Sequence, residues 1–387
     1  MLEQEIVGQE TLLSHLKNSV EKRQVPHAQL FIDRGGYGAM PLALYQAVLL
    51  LYDPETLNLA SKQQKTLADL ALHPDLHFLF PTISLGTGSK SNAEELLPRW
   101  QEFIKEKPYG NHFDWMDWLE AGNKQAQIGV KEMATLQERL NLKSYKGGAK
   151  ICIVWGVEKM NPSASNKFLK TLEEPPQKTY FFLLSASTEL LPTIVSRCQS
   201  ILLPPISTKA LLKTIEDHQW DVSLAQEIHR CKGSYRALLH RATEVVAKPF
   251  EEMLIKLLRC AFAAKGNKKI VLDLMAWVEE IVRFDKEDQK EFLSYSVEVL
   301  RDAFMLNYAL EELTTFRSKI NFDLAKLAPF VHHFNVAPMV SLFEQSHFYI
   351  RRNASAKMVF ADLSLQLTRL IHTKKESDLA KTKKLEE

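Results

Sequence analysis

Cysteine is scarce in this chain and scattered: Cys152, Cys198, Cys231 and Cys260, in 387 residues, form no C-x-x-C pair. Neither a disulfide framework nor a cysteine zinc module is indicated, and Cys152 reads as plain core of an apolar strand. No apolar run approaches the ~20 residues of a membrane span. The opening MLEQEIVGQE is acidic where a secretory signal would be basic and then apolar. Both observations predict a cytoplasmic protein with no membrane partner. The formal charge is only +2, which excludes a strongly polyanion-coating protein but leaves local contact with DNA open. Glycine is absent after Gly266, and only Pro329 and Pro338 interrupt the rest of the chain. That segment is rich in Leu, Phe, Ala, Lys and Glu at helical spacing, so the C-terminal third is predicted to be helical.

What is present begins with 45% hydrophobic content, ordinary for a globular chain of this length and enough for two or three cores. The clearest fold signal is the stretch 150–205. Ile151 to Trp155, Tyr180 to Leu184 and Ile201 to Leu203 are short, β-rich and apolar on both faces, as strands covered by helices on either side must be. Between the first two, Asn161 can cap, Pro162 suits a first helical position, Phe168, Leu169 and Leu172 form a stripe, and Pro175-Pro176 ends the helix. The pattern is βαβαβ. It predicts an α/β domain with a parallel sheet over 1–205, a small helical unit over 206–245 with an internal turn at Gly233, an all-α domain over 246–372, and a charged, disordered tail over 373–387.

Upstream, HAQLFIDRGGYGAMPLALYQAVLLL reads as strand, glycine cluster and helix, with Gly35, Gly36 and Gly38 inside four positions. This is the context of a phosphate-binding loop, but the chemistry of one is lacking. A working loop places a Lys on the β and γ phosphates and a hydroxyl on magnesium; aligned on the glycines, those places hold Ala39 and Met40. Asp33 stands where the motif opens with glycine, facing the phosphates, and two unit charges about 4 Å apart repel by about 4 kcal/mol at an effective dielectric of ~20. Pro41 removes one further backbone donor. In ATPases of this topology a second strand ends in two acids; here Trp155 and Gly156 stand there, and Glu158 is displaced by two residues. The domain is not expected to hydrolyse ATP, and the loop is read as a tight turn kept for its geometry.

IVGQE, PHAQLF, HPD (73–75), NKFLKTLEEPP (166–176) and SRC (196–198) together resemble the clamp-loader branch of the AAA+ proteins, specifically over about the first 240 residues. The resemblance implies a P-loop-like sheet domain, a lid and an oligomerising collar. It also implies a non-catalytic subunit in a hetero-pentamer with gamma/tau-type ATPase and delta-type subunits, acting on a sliding clamp and primed DNA. ATP and magnesium would lie in the neighbour, with no cofactor or metal bound here. Arg197, with Ser196 and Cys198, matches the arginine that reaches a neighbour's ATP, a role suited to a planar, permanent cation. From the residue alone, Arg197 can equally complement the dipole of the helix before it. Arg236 resembles the lid's sensor arginine, here vestigial and structural; Ser185 or Ser187 lies at the first sensor position. An active ATPase with an unorthodox site, and an inert scaffold subunit, are the competing readings.

Two features depart from that pattern. The family's four-cysteine module is absent from 49–75, and His73 and His77 do not replace it. An insert over about 84–126 opens with GTGSKSN and carries Trp100, Trp115 and Trp118; a helical hairpin packed on its own domain is favoured over a partner-docking surface. Lys143, Lys146 and Lys150 can approach a DNA backbone, although a solvated surface is the default. The helical segments at Phe343 to Arg352 and Met358 to Ile371 carry faces suited to ring assembly.

Overall fold

The computed structural model describes residues 2–83, 93–121, 124–145, 147–188, 190–221, 223–226, 228–243, 249–264, 270–308, 322–352 and 354–373, with 310, 314, 316, 318 and 320. The start of the insert, Lys146 and the tail beyond 373 lie outside the described residues. The chain divides into two compact units, Met1–Glu244 and Val245–Glu387.

The first unit is built on five parallel strands, β1 (Ala28–Ile32), β2 (Leu76–Leu79), β3 (Lys150–Trp155), β4 (Thr179–Ser185) and β5 (Gln199–Leu202), in the spatial order β2-β3-β4-β1-β5. Alternation along the inner strands sends successive side chains to opposite faces. Phe31, Ile151, Ile153, Phe182 and Leu184 join one core with the helix Ala39–Leu51, whereas Leu30, Cys152, Val154, Phe181 and Leu183 join another. The helices Val130–Asn141 and Pro162–Glu173 cover the second face. Burial of both faces explains the continuous apolar runs. β1 lies between β4 and β5, so the glycine loop leaves the sheet beside the carboxyl end of β4.

β5 corrects the expectation of a strand apolar and covered on both faces. Gln199, Ser200 and Leu202 are exposed and only Ile201 is buried, because β5 has a neighbour on one side alone. The helix Pro162–Glu173 starts as its sequence dictates: the Asn161 side chain accepts from the Ala164 N–H at 2.8 Å and Pro162 follows the cap. The helix Ala39–Leu51 is buried from Ala39 to Val48, which accounts for its apolar circumference.

Residues 206–243 fall in this first unit with a small core of their own: Ile206, Leu211, Ile215, Ile228, Cys231, Tyr235 and Leu238. Among the described residues four short elements build them, Thr208–Asp217, Ser223–Gln226, Ile228–Cys231 and Tyr235–Thr243, so Gly233 is not the single internal turn expected. The second unit packs Phe250–Ala263, Ile270–Ile281, Lys286–Asn307, Val336–Arg351 and Ala356–Leu370 around Trp277, Phe292, Phe343 and Phe360. Among the described residues no helix is long and apolar enough to cross a membrane.

Candidate functional site

β1 delivers Asp33 to the start of the glycine loop, where its N–H donates to the Ser185 carbonyl at 2.8 Å. The Asp33 carboxylate, expected to face the phosphates of a bound nucleotide, lies among the loop amides themselves. It turns into the loop and accepts from the N–H groups of Gly35 (3.2 Å), Tyr37 (2.8 and 3.0 Å), Gly38 (3.0 Å) and Ala39 (3.0 Å). These amides converge because Gly36 and Gly38 adopt left-handed φ values of 74° and 112°. The physical reason is proximity: a carboxylate one step before a nest of donors is the nearest anion available to them. Ala39 and Met40 are buried in the core.

The opposite wall comes from the ends of β3 and β4. Trp155 is buried and packs on Trp100 at 4.9 Å between ring centroids. Gly156, at φ 74°, turns the chain back into the short helix Val157–Lys159. Glu158, two residues beyond the strand end, lines the cleft with its side chain and accepts from Ser185 Oγ at 2.8 Å. Ser185 Oγ in turn accepts from the Ser187 N–H at 3.0 Å. Of the two sensor candidates, Ser185 is the one lining the cleft.

The insert folds onto its own domain as the helices Ala93–Glu106 and His112–Trp118. Trp100 and Trp115 are fully buried, Trp100 stacks on Phe80 at 4.6 Å, and Trp115 Nε1 donates to the Pro81 carbonyl at 2.9 Å. The link between the two helices crosses the cleft. Tyr109 is buried there: its hydroxyl accepts from the Val7 N–H at 2.8 Å and its ring meets Tyr235 at 4.5 Å. It also touches the loop directly, since a Cβ on Gly38 would come within 2.9 Å of Tyr109 Cε1. Asp114, one turn into the next helix, holds Arg236 through two hydrogen bonds of 2.6 and 3.0 Å. Burial pushes the Asp114 carboxyl up, but the Arg236 hydrogen bond and charge, together with the Asn111 N–H and the Lys107 charge, leave it below the usual carboxylate range. The remaining cavity is ≈ 80 Å³, well under the roughly 300–1,000 Å³ of small-molecule pockets.

Arg197 is not among the residues lining this cleft. It follows the short helix Pro192–Val195, donates to the Thr193 carbonyl at 2.9 Å and pairs with Glu173 of the LEEPP motif. Ser196 Oγ donates to the same Thr193 carbonyl at 3.2 Å. Cys198 is half-buried, and burial pushes its thiol up to about 11. Lys150 corrects the basic cluster: it is buried, with Nζ donating to the carbonyls of Leu140 and Leu142, because β3 starts directly under the end of Val130–Asn141. Lys143 is exposed. Burial and the nearby Arg139 charge push His77 down to about 4, and no group of side chains among the described residues is arranged to hold a metal.

Sheet order, glycine loop and arginine-bearing lid define an AAA+-type module followed by a separate helical unit. The family described as "DNA polymerase III, delta subunit" matches residues 8–207, and the chain belongs to that family. It is similar to DNA polymerase III subunit delta' of Yersinia pestis, 41% identical over 90 residues that cover 23% of this chain and 26% of that protein. It is 38% identical to the Escherichia coli K12 delta' subunit over 97 residues, 25% of this chain and 29% of that one. With Bacillus subtilis delta' it shares 27% over 205 residues, 52% of this chain and 50% of that one. The matched stretches thus span between about a quarter and half of these relatives. Among solved structures, a gamma subunit-related protein of Thermotoga maritima overlaps at a TM-score of 0.36 and 17% identity, over 93% of this chain and 100% of that one.

Proposed function

We propose that the chain is the non-catalytic delta-prime-type subunit of a DNA polymerase III clamp loader in the cytoplasm. In this reading it binds no nucleotide, joins gamma/tau-type ATPase and delta-type subunits in a hetero-pentamer, and helps load a sliding clamp on primed DNA. Arg197 serves the ATP and magnesium of the adjacent ATPase subunit, and the helical second unit acts as the assembly's collar. The observation that carries the non-catalytic half is Asp33. Its carboxylate takes the four loop amides a polyphosphate would need, while the Lys and hydroxyl places are the buried Ala39 and Met40. The residues present do not fit a nucleotide with magnesium, and no hydrolytic step is assigned to them.

The test is reconstitution with the ATPase partner. A finger supplied in trans contributes roughly 10³–10⁵ to turnover at the site it serves. Arg197→Ala is therefore expected to silence one site of the assembled complex, lowering DNA- and clamp-stimulated hydrolysis by that site's share while assembly persists. Unchanged hydrolysis in a normally assembled Arg197→Ala complex would refute the finger. Micromolar ATP binding with turnover by the isolated chain would refute the non-catalytic reading. The inert-scaffold reading takes the two partners Arg197 already has, Glu173 and the Thr193 carbonyl, as its whole role. The same experiment separates the two.

A further inference from the structure

Polar groups in and beside this cleft are tied to the chain itself at three points. Asp33 holds the loop amides. Asp114 holds Arg236, the cation that the lid turns toward the loop; the two backbones are so close that a Cβ on Gly36 would come within 2.8 Å of Arg236 Cβ. Between them Tyr109 supplies a flat, buried aromatic ring with a polar edge. It meets the segment at Val7, the glycine loop at Gly38 and the lid at Tyr235, three elements far apart in sequence.

We infer that the segment 107–114 of the insert, together with Asp33, is an intramolecular surrogate for a nucleotide that latches the lid (206–243) onto the sheet in one position. This goes beyond the proposed function and does not depend on Arg197. Tyr109 belongs to the lid's own apolar cluster although its chain belongs to the insert. Asp114 does two tasks with one carboxylate: it accepts from the Asn111 N–H at 2.7 Å, closing the capping box of its helix, and it binds the lid arginine. The helix start and the lid position are thereby set by the same group. The insert itself is anchored under the sheet by the Trp100 and Trp115 cluster, so the latch is fastened at both ends. A lid held this way keeps its orientation whether or not nucleotide is present.

Hydrogen exchange on the full chain tests this, with β3 and β4 peptides as an internal control. Asp114→Asn keeps the shape but removes the charge, and exchange within Thr208–Asp217 and Tyr235–Thr243 is expected to rise about tenfold or more, with β3 and β4 unchanged. Arg236→Ala, approached from the lid, is expected to give the same increase, and the double variant no more than either single one. Unchanged lid exchange would overturn the latch. So would an equal acceleration in β3 and β4, which would make Asp114 a support of the whole fold, or additive effects in the double variant.

Discussion

Replacing Asp33 with alanine measures what the internal anion contributes. Four amides lose their acceptor: Gly35, Tyr37, Gly38 and Ala39. Gly35 and Tyr37 are half-buried and can turn to water, whereas Gly38 and Ala39 are buried. A buried donor left without a partner costs about 1–3 kcal/mol, so the two buried amides together predict a loss of about 3 kcal/mol. For a unit of this size that corresponds to a fall of roughly 6–12 °C in melting temperature. Tryptophan fluorescence is the suitable signal, because Trp100, Trp115, Trp118, Trp155 and Trp220 all lie in the first unit and only Trp277 in the second. Asp33→Asn retains one acceptor oxygen but turns an amide N–H₂ toward the donors, and is expected to fall between wild type and Asp33→Ala. A loss below about 0.5 kcal/mol in Asp33→Ala would refute the reasoning: water would then serve the loop as well as the carboxylate does.

Burial holds both His77 and His112 down to about 4 from 6.5, assisted by the Arg139 and Lys159 charges respectively. The folded state then binds fewer protons than the unfolded one, so their contribution is complete above pH 6.5 and lost as pH falls toward 4, by roughly 2 kcal/mol for each at pH 5; His77→Gln should flatten the pH 7 to pH 5 difference in urea midpoint, and an unchanged slope would contradict this. Gln46 is fully buried in Ala39–Leu51 with neither amide atom hydrogen-bonded among the described residues. Gln46→Leu is expected to raise stability by about 1–3 kcal/mol, a denaturation experiment in which destabilisation would show that the amide is held after all.

The parts of this protein legible in the sequence are those set by local physics. Continuous apolar runs identified β3 and β4 as buried on both faces, and Asn161-Pro162 marked a helix start that the Ala164 hydrogen bond bears out. The position of β1 between β4 and β5 depends on pairing between segments some 150 residues apart, and the exposure of β5 follows from that position. Side-chain destinations were harder still. An offset from a motif does not fix where the Asp33 and Glu158 carboxylates end up, because a carboxylate reorients through its χ angles and Gly156 reverses the chain before Glu158. Lys150 looked like a surface cation because its buried aliphatic stem and its two carbonyl partners are invisible in composition. Asp114 carried a local signal, the N-x-x-D capping box with Asn111. Its pairing with Arg236, 122 residues on, carried none.

The chain holds two motif arginines in opposite situations, and the contrast bears on which of them can act elsewhere. Arg236 and Asp114 have side chains only 22% and 16% exposed and share two hydrogen bonds; breaking a pair of that kind from one side costs about 3–5 kcal/mol when it is buried. Arg197 and Glu173 are 34% and 47% exposed, in the range where an ion pair contributes about 0–1 kcal/mol. Arg236 is thus committed to its own chain, and a partner's phosphates would have to offer more than Asp114 already does. Arg197 can exchange Glu173 for a more highly charged acceptor at little cost, and its remaining bond to Thr193 would keep the guanidinium oriented while it did so. Its pairing with Glu173 therefore argues less for idleness than for a cation kept in place on an open surface.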